Sequence, residues 1–454
     1  MKVIGIDIGT TSICALVLQA ETGDVLETCY LENDTFITTG QPWEKIQDQD
    51  RILEKITAMA GRLVGKHRPI DAIGLTGQMH GFLYVDAQGQ AVSPLFTWQD
   101  NRGNCLYDGE KTYADTLSER TGYKLATGFG SVTHFYNRLN RIVPGQAVGL
   151  CSIQGYAAMR LTGRAAPILH VSDAAGFGLF DLENARFDRE ALQLAGLDPG
   201  IFPEVTDRCG IIGHTPDGIP VVVAIGDNQA SFIGAVKDMK SSVLVNVGTG
   251  SQISMLSETY RRDKAMETRP LMGSGCLLVG SPLCGGRSYQ LLESFFHSVV
   301  DMAGLSCPRL YPAMDALAET FESLEDPLAV STQFSGTREE PAQRGEIREI
   351  GTGNFTARHM IVGVLEGMTD ELYQYYSLLE KQPGSALPTV LVGSGNGIRK
   401  NAVLQRLLSR KFGMPLKIPL YKEEAAYGAA LFAGLGTGLY KSIEHAQSMI
   451  RYQD

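Results

Sequence analysis

Two distant stretches of the chain repeat one pattern of apolar and polar residues. Residues 3–18 read VIGIDIGTTSICALVL, and residues 243–256 read VLVNVGTGSQISML. In each stretch an apolar run leads into a short glycine-threonine turn, and a second run with alternating apolar residues follows. Such runs around a short glycine-containing connection are typical of β-hairpins. We therefore predict two hairpins that occupy equivalent corners of two related domains.

Three further apolar runs predict strands that end in polar turns containing glycine. They are Ile70–Thr76, Val221–Ile225 and Thr389–Val392. Open α/β sheets bind their ligands at the carboxyl ends of strands, so the polar residues that follow these runs are candidates for a functional site.

Helical periodicity is clear between these strands. Apolar residues at 52, 56, 63 and 64 predict a helix with Asp48 or Asp50 as its cap, and a second helix ends at Gly413. Residues 424–436, EAAYGAALFAGLG, predict a helix whose small side chains let its backbone lie close to a sheet or a ligand. The alternation predicts an α/β protein with one domain over 1–238 and another over 239–454.

Charge and composition narrow the classes of function. The 454 residues include 40 basic and 50 acidic side chains, a formal net charge of −10. Nucleic-acid binding needs clustered Lys and Arg, so we expect no nucleic-acid partner. No apolar stretch approaches the roughly 20 residues that span a bilayer, and no signal-peptide cleavage site is evident. The eight cysteines form no Cys-x-x-Cys pair. We predict a cytoplasmic protein with reduced thiols and no membrane partner.

The first glycine-threonine turn has the chemistry of a phosphate site. Glycine lets backbone amides approach an anion, and hydroxyl side chains add donors. The turn comprises Gly9, Thr10, Thr11 and Ser12. Asp7 precedes it at the end of a strand, where a carboxylate is suited to Mg²⁺ because hard cations prefer oxygen ligands. An ordinary hairpin is the alternative, but the presence of two such turns favours phosphate binding.

The second turn repeats this arrangement with Asn246 in the place of the aspartate. Gly248, Thr249 and Gly250 would then hold phosphate without a metal. A third turn, Gly393–Gly397, lies between a predicted strand and a predicted helix, which suits an adenosine or a diphosphate at a helix N-terminus. Glycine-containing turns that connect a strand to a helix are also common in proteins without such a ligand.

Asp227 follows the apolar run VVVAI and a glycine. A carboxylate there can accept a proton from a hydroxyl group, or it can simply form an Asx turn or cap a helix. Other polar residues at strand ends suit the hydroxyl groups of a polyol, although Trp98 could be core and Asp173 a helix cap. These candidates are Gln78, Met79, His80, Trp98, Gln99, Asp100 and Asp173.

Together, the three turns and the motif Gly226-Asp227-Asn228-Gln229-Ala230 resemble the FGGY carbohydrate kinases over essentially the whole chain. The resemblance implies two RNase H-like domains of the actin/Hsp70/sugar kinase superfamily with a cleft between them. It implies ATP and Mg²⁺ as cofactors, Asp227 as the catalytic base and a metal site at Asp7 and Asp227. Phosphates would lie in the first two turns, and adenosine would lie near Gly395, Asn396 and Asn401.

Within this family two substrates stay open. Thr-Trp-Gln-Asp-x-Arg at 97–102 and Gly-Ser-Gly at 393–395 resemble sedoheptulokinases, whereas Ser-Asp-Ala-Ala-Gly at 172–176 looks more like a xylulokinase. The resemblance therefore implies phosphorylation of the terminal primary hydroxyl of a ketose, with sedoheptulose as first choice and D-xylulose as the alternative.

Two other classes share the fold. A non-catalytic sugar sensor would have gained a DNA-binding segment or lost the base, but Met1 directly precedes the first strand and Asp227 is present. An actin-like or Hsp70-like ATPase would have no use for the polyol candidates. The sequence leaves a homodimer possible. Segment 301–350 contains Arg338, Arg344 and Gly345, which resemble a polar loop of this family. We interpret these residues as solvated surface charge.

Overall fold

The computed structural model describes residues 1–260, 266–273, 275–337, 340, 342–380 and 387–453. Arg338 lies outside these described residues. The chain forms two large mixed sheets, and each begins with one of the predicted hairpins. Strands and helices alternate along the chain, which makes it a mixed α/β protein.

The first sheet is built on the hairpin of Lys2–Ile8 and Ser12–Gln19, which pair in an antiparallel ladder. Asp24–Glu32 extends the sheet on one side, and Ala72–Gly77 lies parallel to Lys2–Ile8 on the other. The outer strands beyond Ala72–Gly77 are Ile211–His214, Pro220–Val222 and Ile225–Gly226.

The second sheet has the same plan. The hairpin of Ser242–Val247 and Ser251–Ser257 is followed by the antiparallel strand Cys276–Gly280, and Val390–Ser394 runs parallel to Ser242–Val247. Glu267–Pro270 and Leu416–Lys417 form the two edges. Both hairpins thus hold the same position in sheets of the same order, as the repeated sequence pattern predicted.

One predicted strand is divided in the structure. The run Val221–Ile225 becomes the strand Pro220–Val222 and the pair Ile225–Gly226. Val223 and Ala224 lie between these two strands, and the Val223 N–H donates to the Gly210 carbonyl oxygen at 3.0 Å. The apolar run alone does not reveal this break, since every residue of it is buried.

The predicted helices are present with their expected ends. Gln49–His67 begins after Asp48, whose carboxylate accepts from the Asp50 and Arg51 N–H groups. Ala402–Phe412 ends at Gly413 in the left-handed conformation, and Glu424–Gly436 forms as one helix. The remaining helices are Tyr113–Thr121, Gly130–Leu139, Ile153–Thr162, Val171–Ala174, Arg189–Leu194, Asp227–Ala235, Gly286–Met302, Tyr311–Ala318, Ala357–Glu380, Gly395–Arg399 and Ile443–Gln447.

Short strand pairs complete the structure outside the two sheets. They are Ile46–Gln47 with Leu95–Phe96, Leu83–Val85 with Gly149–Cys151, Ile168–His170 with Glu204–Thr206, Phe180–Asp181 with Arg186–Phe187, and Ala329–Ser331 with Glu346–Arg348. In the described part of the chain, we find no helix with the length and apolar character that crossing a bilayer requires.

Two helices meet between the sheets with almost no side chain separating them. A methyl group added at Gly428 would lie 1.8 Å from the Ala230 carbonyl oxygen, and one added at Gly234 would lie 2.1 Å from the Glu424 carbonyl oxygen. The helix Glu424–Gly436 also lies against the first sheet, where Gly5 and Gly74 permit equally close contact. One apolar cluster therefore joins side chains of both sheets through these helices.

We expect Gly428→Ala to lower the free energy of unfolding by about 2 kcal/mol or more, because the added methyl group meets backbone atoms that cannot rotate away. Urea unfolding is the measurement. The control is Gly61→Ala in the exposed part of a helix, where an added methyl group meets nothing within 4 Å and a gain of up to about 1 kcal/mol is expected. Equal stability of the two variants would show that the helix contact tolerates a side chain.

Candidate active site

Three candidate side chains follow neighbouring strands of the first sheet at the same edge. Asp7 pairs with Thr76, and Gly77 pairs with both Ile8 and Gly226. Gln78 and Asp227 are therefore the first residues after two strands that end together beside Asp7. Parallel strands that end together create such an edge, where α/β proteins bind ligands.

The first glycine-threonine turn shares a hydrogen-bond network with two of the polyol candidates. The Thr10 hydroxyl donates to Gln78 Oε1 at 3.3 Å and accepts from Trp98 Nε1 at 2.9 Å. Gln47 completes the network, since its Nε2 donates to the Thr10 carbonyl oxygen and its Oε1 accepts from Gln78 Nε2, both at 2.8 Å. Gln47 was not among the predicted residues, and no motif distinguishes it.

Trp98 is not a core residue, because 46% of it is exposed. Its indole N–H is held by Thr10, so one edge is fixed while the ring remains open to solvent. Gln99, the next residue, is half-buried. This arrangement leaves an exposed aromatic surface beside the first glycine-threonine turn.

Asp100 differs from these neighbours, because it is fully buried in an ion pair with Arg102. Its two oxygens accept from the Arg102 side chain and from the Lys45 N–H at 3.0 Å. Arg102 also lies over the Phe96 ring, 4.4 Å from its centroid. With both oxygens engaged below the surface, Asp100 supports the Trp98 loop and does not reach a ligand.

His80 has an unusual backbone conformation for a residue that is not glycine. Its φ is 70°, and its Nδ1 hydrogen-bonds the Gly176 carbonyl oxygen at 2.7 Å. The ring also lies edge-on to Phe129, with 4.8 Å between centroids. Backbone conformations of this kind cost free energy and persist where surrounding contacts hold them, often at functional sites.

His80 and Met79 line a cavity of about 740 Å³, the size of a small-molecule site. Ser172 and Gly176 lie on the same side of it, and Tyr260 and the strand Glu267–Pro270 face them from the second half of the chain. The cavity thus lies between the segments that the two hairpins begin.

Asp173 is close to this cavity but does not reach its surface. It is fully buried, and its carboxylate accepts from the Ser152 hydroxyl and from Gln154 Nε2. Burial raises the pKa of Asp173 to about 7, and the hydrogen bond from the Ser152 hydroxyl opposes the increase. The residue lies within the short helix Val171–Ala174, whose cap is His170, so the predicted alternative of a capping role is wrong.

Asp227 is the first residue of the helix Asp227–Ala235, and Gly226 is the cap. Its carboxylate accepts from the Asn228 N–H at 2.7 Å, and the Gly226 N–H donates to the Ser172 hydroxyl at 3.1 Å. Burial raises the pKa of Asp227, while the positive charge of Arg269 opposes that increase. The carboxylate is therefore held at the start of its helix, and Arg269 on the second sheet compensates part of its charge.

Asp7 has the environment of a cation ligand. Its Oδ1 is out of contact with solvent and accepts no hydrogen bond from the described residues. Burial, and after it the charges of Asp227 and Glu423, raise the pKa of Asp7 to about 7. In the described part of the chain no cluster of three or more His, Cys, Asp or Glu side chains could hold a metal by itself. Mg²⁺ usually needs only one or two carboxylates together with substrate phosphates, so the residues fit this ion.

The second and third glycine turns lie side by side. Asn246 Nδ2 donates to the Ser394 hydroxyl at 2.8 Å, and Gly395 lies against Val247 with φ of 81°. Gly248 and Thr249 are exposed, and their carbonyl oxygens accept from the N–H groups of Gly286 and Arg287 at the start of a helix. Backbone amides of both turns are thus held close together.

The two adenosine candidates differ in their surroundings. Asn396 is exposed in the short helix Gly395–Arg399. Asn401 is buried, its Oδ1 caps the helix Ala402–Phe412, and its Nδ2 donates to Asp315 Oδ1 at 2.9 Å. The same Asp315 oxygen accepts from the Tyr289 hydroxyl at 2.8 Å. Asp315 and Tyr289 were not predicted, because they lie far from any of the turns in sequence.

Comparison with known proteins assigns this architecture. The N-terminal domain of the FGGY family of carbohydrate kinases matches residues 2–244, and the C-terminal domain of that family matches residues 243–437. The chain belongs to the FGGY family of carbohydrate kinases. It is therefore a phosphotransferase that uses ATP and an alcohol group as acceptor.

The relatives of this FGGY kinase include enzymes named for different acceptors. A sedoheptulokinase from Mus musculus is 27% identical over 94% of this chain and 96% of its own length. A glycerol kinase from Myxococcus xanthus is 27% identical over 83% of this chain and 78% of its own. The solved structure of a xylulose kinase from Lactobacillus acidophilus has a TM-score of 0.84 at 18% identity, over 100% of this chain and 93% of its own. That structure supports the two-domain sugar kinase fold and does not identify the acceptor.

The raised pKa of Asp173 gives a prediction for stability. Between about pH 4 and pH 7 the folded state binds this proton and the unfolded state does not, so the free energy of unfolding falls as pH rises. We expect Asp173→Asn, relative to wild type, to gain stability over that range by up to about 4 kcal/mol. Urea unfolding at several pH values measures this, with the exposed Asp217→Asn as control. A constant difference between wild type and Asp173→Asn at all pH values would contradict the prediction.

Proposed function

We propose that this kinase transfers the γ-phosphoryl group of ATP to the terminal primary hydroxyl of a ketose, with sedoheptulose as substrate and sedoheptulose 7-phosphate as product. The network of Thr10, Gln78 and Trp98 carries the proposal, because it joins a phosphate-type turn to side chains suited to hydroxyl groups. The relatives named sedoheptulokinase match nearly the whole chain, which supports the seven-carbon acceptor.

Asp227 is the catalytic base in this proposal. Its carboxylate would orient the acceptor hydroxyl and take its proton as the oxygen attacks phosphorus. Phosphoryl transfer has a loose transition state, so positioning and charge neutralisation contribute more than strong basicity. Two opposing influences, burial and the charge of Arg269, keep the carboxylate available as an acceptor.

Sugar and nucleotide bind on opposite sides of Asp227. The sugar would contact Gln78, Met79, His80, Trp98 and Gln99, whereas Asp100 and Asp173 would support those residues from below. Phosphates would bind at Gly9, Thr10, Thr11, Ser12, Gly248, Thr249 and Gly250, and adenosine would bind near Gly395, Asn396 and Asn401.

Mg²⁺ would be held by Asp7 and Asp227 together with phosphate oxygens. When bound, the ion neutralises phosphate charge as the γ-phosphoryl group is transferred. This site is supported by Asp7 Oδ1, which accepts no hydrogen bond within the described part of the chain. Asp7 would keep the ion beside the first turn, and Glu423 would add negative charge from the start of the helix Glu424–Gly436.

Two domains, residues 1–238 and 239–454, would close over the substrates and exclude water that competes with the sugar as acceptor. The helix Glu424–Gly436 belongs to the second domain and packs on the first sheet. This helix would therefore form part of the hinge about which the two domains close. A cytoplasmic location and a homodimer are further predictions from the sequence.

D-Xylulose is the second candidate acceptor. The segment Ser172–Gly176, which resembles xylulokinases, contributes Ser172, Ala175 and Gly176 to the cavity wall. A five-carbon ketose presents the same terminal hydroxyl and differs in how far it extends into the cavity.

Release of ADP with a panel of acceptors tests the proposal. We expect the highest kcat/KM with sedoheptulose, a lower value with D-xylulose, and little turnover of glycerol, because a short polyol leaves most of the 740 Å³ cavity unfilled. A clear preference for D-xylulose would establish the second candidate. No release above the background with any sugar would reject a catalytic function for the cleft.

Asp227→Asn should lower kcat by at least about a hundredfold while nucleotide binding is retained, since the variant keeps the shape but loses the proton acceptor. Single-turnover kinetics and calorimetric titration with ATP make the two measurements. Asp181→Asn is the control, because Asp181 lines the cavity but accepts from the Asn184 N–H of its own turn at 3.1 Å. Near-normal turnover by Asp227→Asn would refute the base assignment.

A further inference from the structure

Arg269 and Glu267 form an ion pair in the wall of the cavity. Both lie on the edge strand Glu267–Pro270, and their side chains leave the same face because they are two residues apart. Arg269 Nε and Nη2 donate to Glu267 Oε2 at 3.1 and 2.7 Å. Side chains of the pair are 12% and 32% exposed, so both belong to the cavity surface rather than to open solvent.

The strand that carries this pair is fixed relative to Asp227. Gln229, in the first turn of the helix that begins at Asp227, donates through Nε2 to the Pro270 carbonyl oxygen at 2.9 Å. The same amide is 3.4 Å from the Ser172 carbonyl oxygen on the opposite cavity wall. Arg269 is consequently close enough for its charge to act on Asp227. His80 and the pair line the same cavity, so an acceptor bound in that cavity lies beside the pair.

The ion pair between Glu267 and Arg269 determines which class of acceptor this wall of the cavity can attract. A lone guanidinium in a partly buried site binds carboxylates strongly, often through two parallel hydrogen bonds. Glu267 already accepts from the Arg269 guanidinium, so the pair attracts a further anion less than a lone arginine would. The two residues together still offer donors and acceptors to hydroxyl groups. A sugar acid would have to compete with Glu267 and would be repelled by it.

We infer that the Glu267–Arg269 pair is a specificity device that makes the cleft select an uncharged polyhydroxy acceptor over a sugar acid of similar length. The inference rests on the proposed function only in that the acceptor binds in this cavity. It assigns a role to two residues that carry no family motif in the sequence.

Opposite substitutions in the pair provide the test. Glu267→Gln frees the guanidinium, so we expect the ratio of kcat/KM for D-gluconate to that for sedoheptulose to rise at least about tenfold, mainly through a lower KM for gluconate. Arg269→Gln leaves an uncompensated carboxylate, so the same ratio should fall below the wild-type value. A defect in folding alone would lower kcat/KM for both acceptors together. It would not move the ratio up in one variant and down in the other.

A matched pair elsewhere in the chain serves as control. Arg348 and Glu346 are also two residues apart on one strand, with 3.6 Å between Arg348 Nε and Glu346 Oε2, but both are largely exposed. Glu346→Gln should leave the ratio unchanged.

Two results would overturn the inference. One is a wild-type enzyme that prefers gluconate, and the other is a Glu267→Gln variant that turns over sedoheptulose with an unchanged ratio. Calorimetry gives the same comparison without turnover, because it measures the dissociation constant for gluconate in wild type and in Glu267→Gln. We expect this constant to fall about tenfold in the variant. If wild type phosphorylates no ketose but gluconate binding tightens as expected, the proposed function fails and the specificity inference stands.

Discussion

The structure depends on the contact between the helices Asp227–Ala235 and Glu424–Gly436. Gly234 and Gly428 let their backbones meet without intervening side chains, and side chains of both sheets pack on the pair. Asp227 and Glu423 stand at the starts of these helices, so one packing contact sets the position of two cleft carboxylates.

A concentration of negative charge follows from that geometry. Burial, together with the nearby charges of Asp227 and Glu423, raises the pKa of Asp7 to about 7. Like charges in a region of low dielectric are unfavourable unless a cation or a donor compensates them. Arg269 supplies part of the compensation from the second sheet. Two further signs that this cleft is arranged for ligands rather than for stability are the strained backbone of His80 and Asp7 Oδ1, which no described residue partners.

Some of the candidate site could be predicted because its residues directly follow strands. Gln78 and Asp227 were found this way, and Thr10 followed from the repeated turn. Gln47 could not be found, because it lies between elements and joins the site only through hydrogen bonds to Thr10 and Gln78. Asp100 and Asp173 have the composition of ligand-binding residues, yet both are buried and bonded to protein donors. Sequence spacing does not distinguish a carboxylate at a surface from one just beneath it.

The sequence by itself determined the local structure and the family. Hairpins, helix caps and glycine turns depend on neighbouring residues, whose preferences are expressed over a few positions of the chain. Only the tertiary structure decided which polar side chains meet. The division of the strand at Val223, the network around Thr10 and the approach of Arg269 to Asp227 depend on contacts between residues distant in the chain. Such contacts form when apolar faces pack, because packing fixes the relative position of whole elements and carries their polar ends with them.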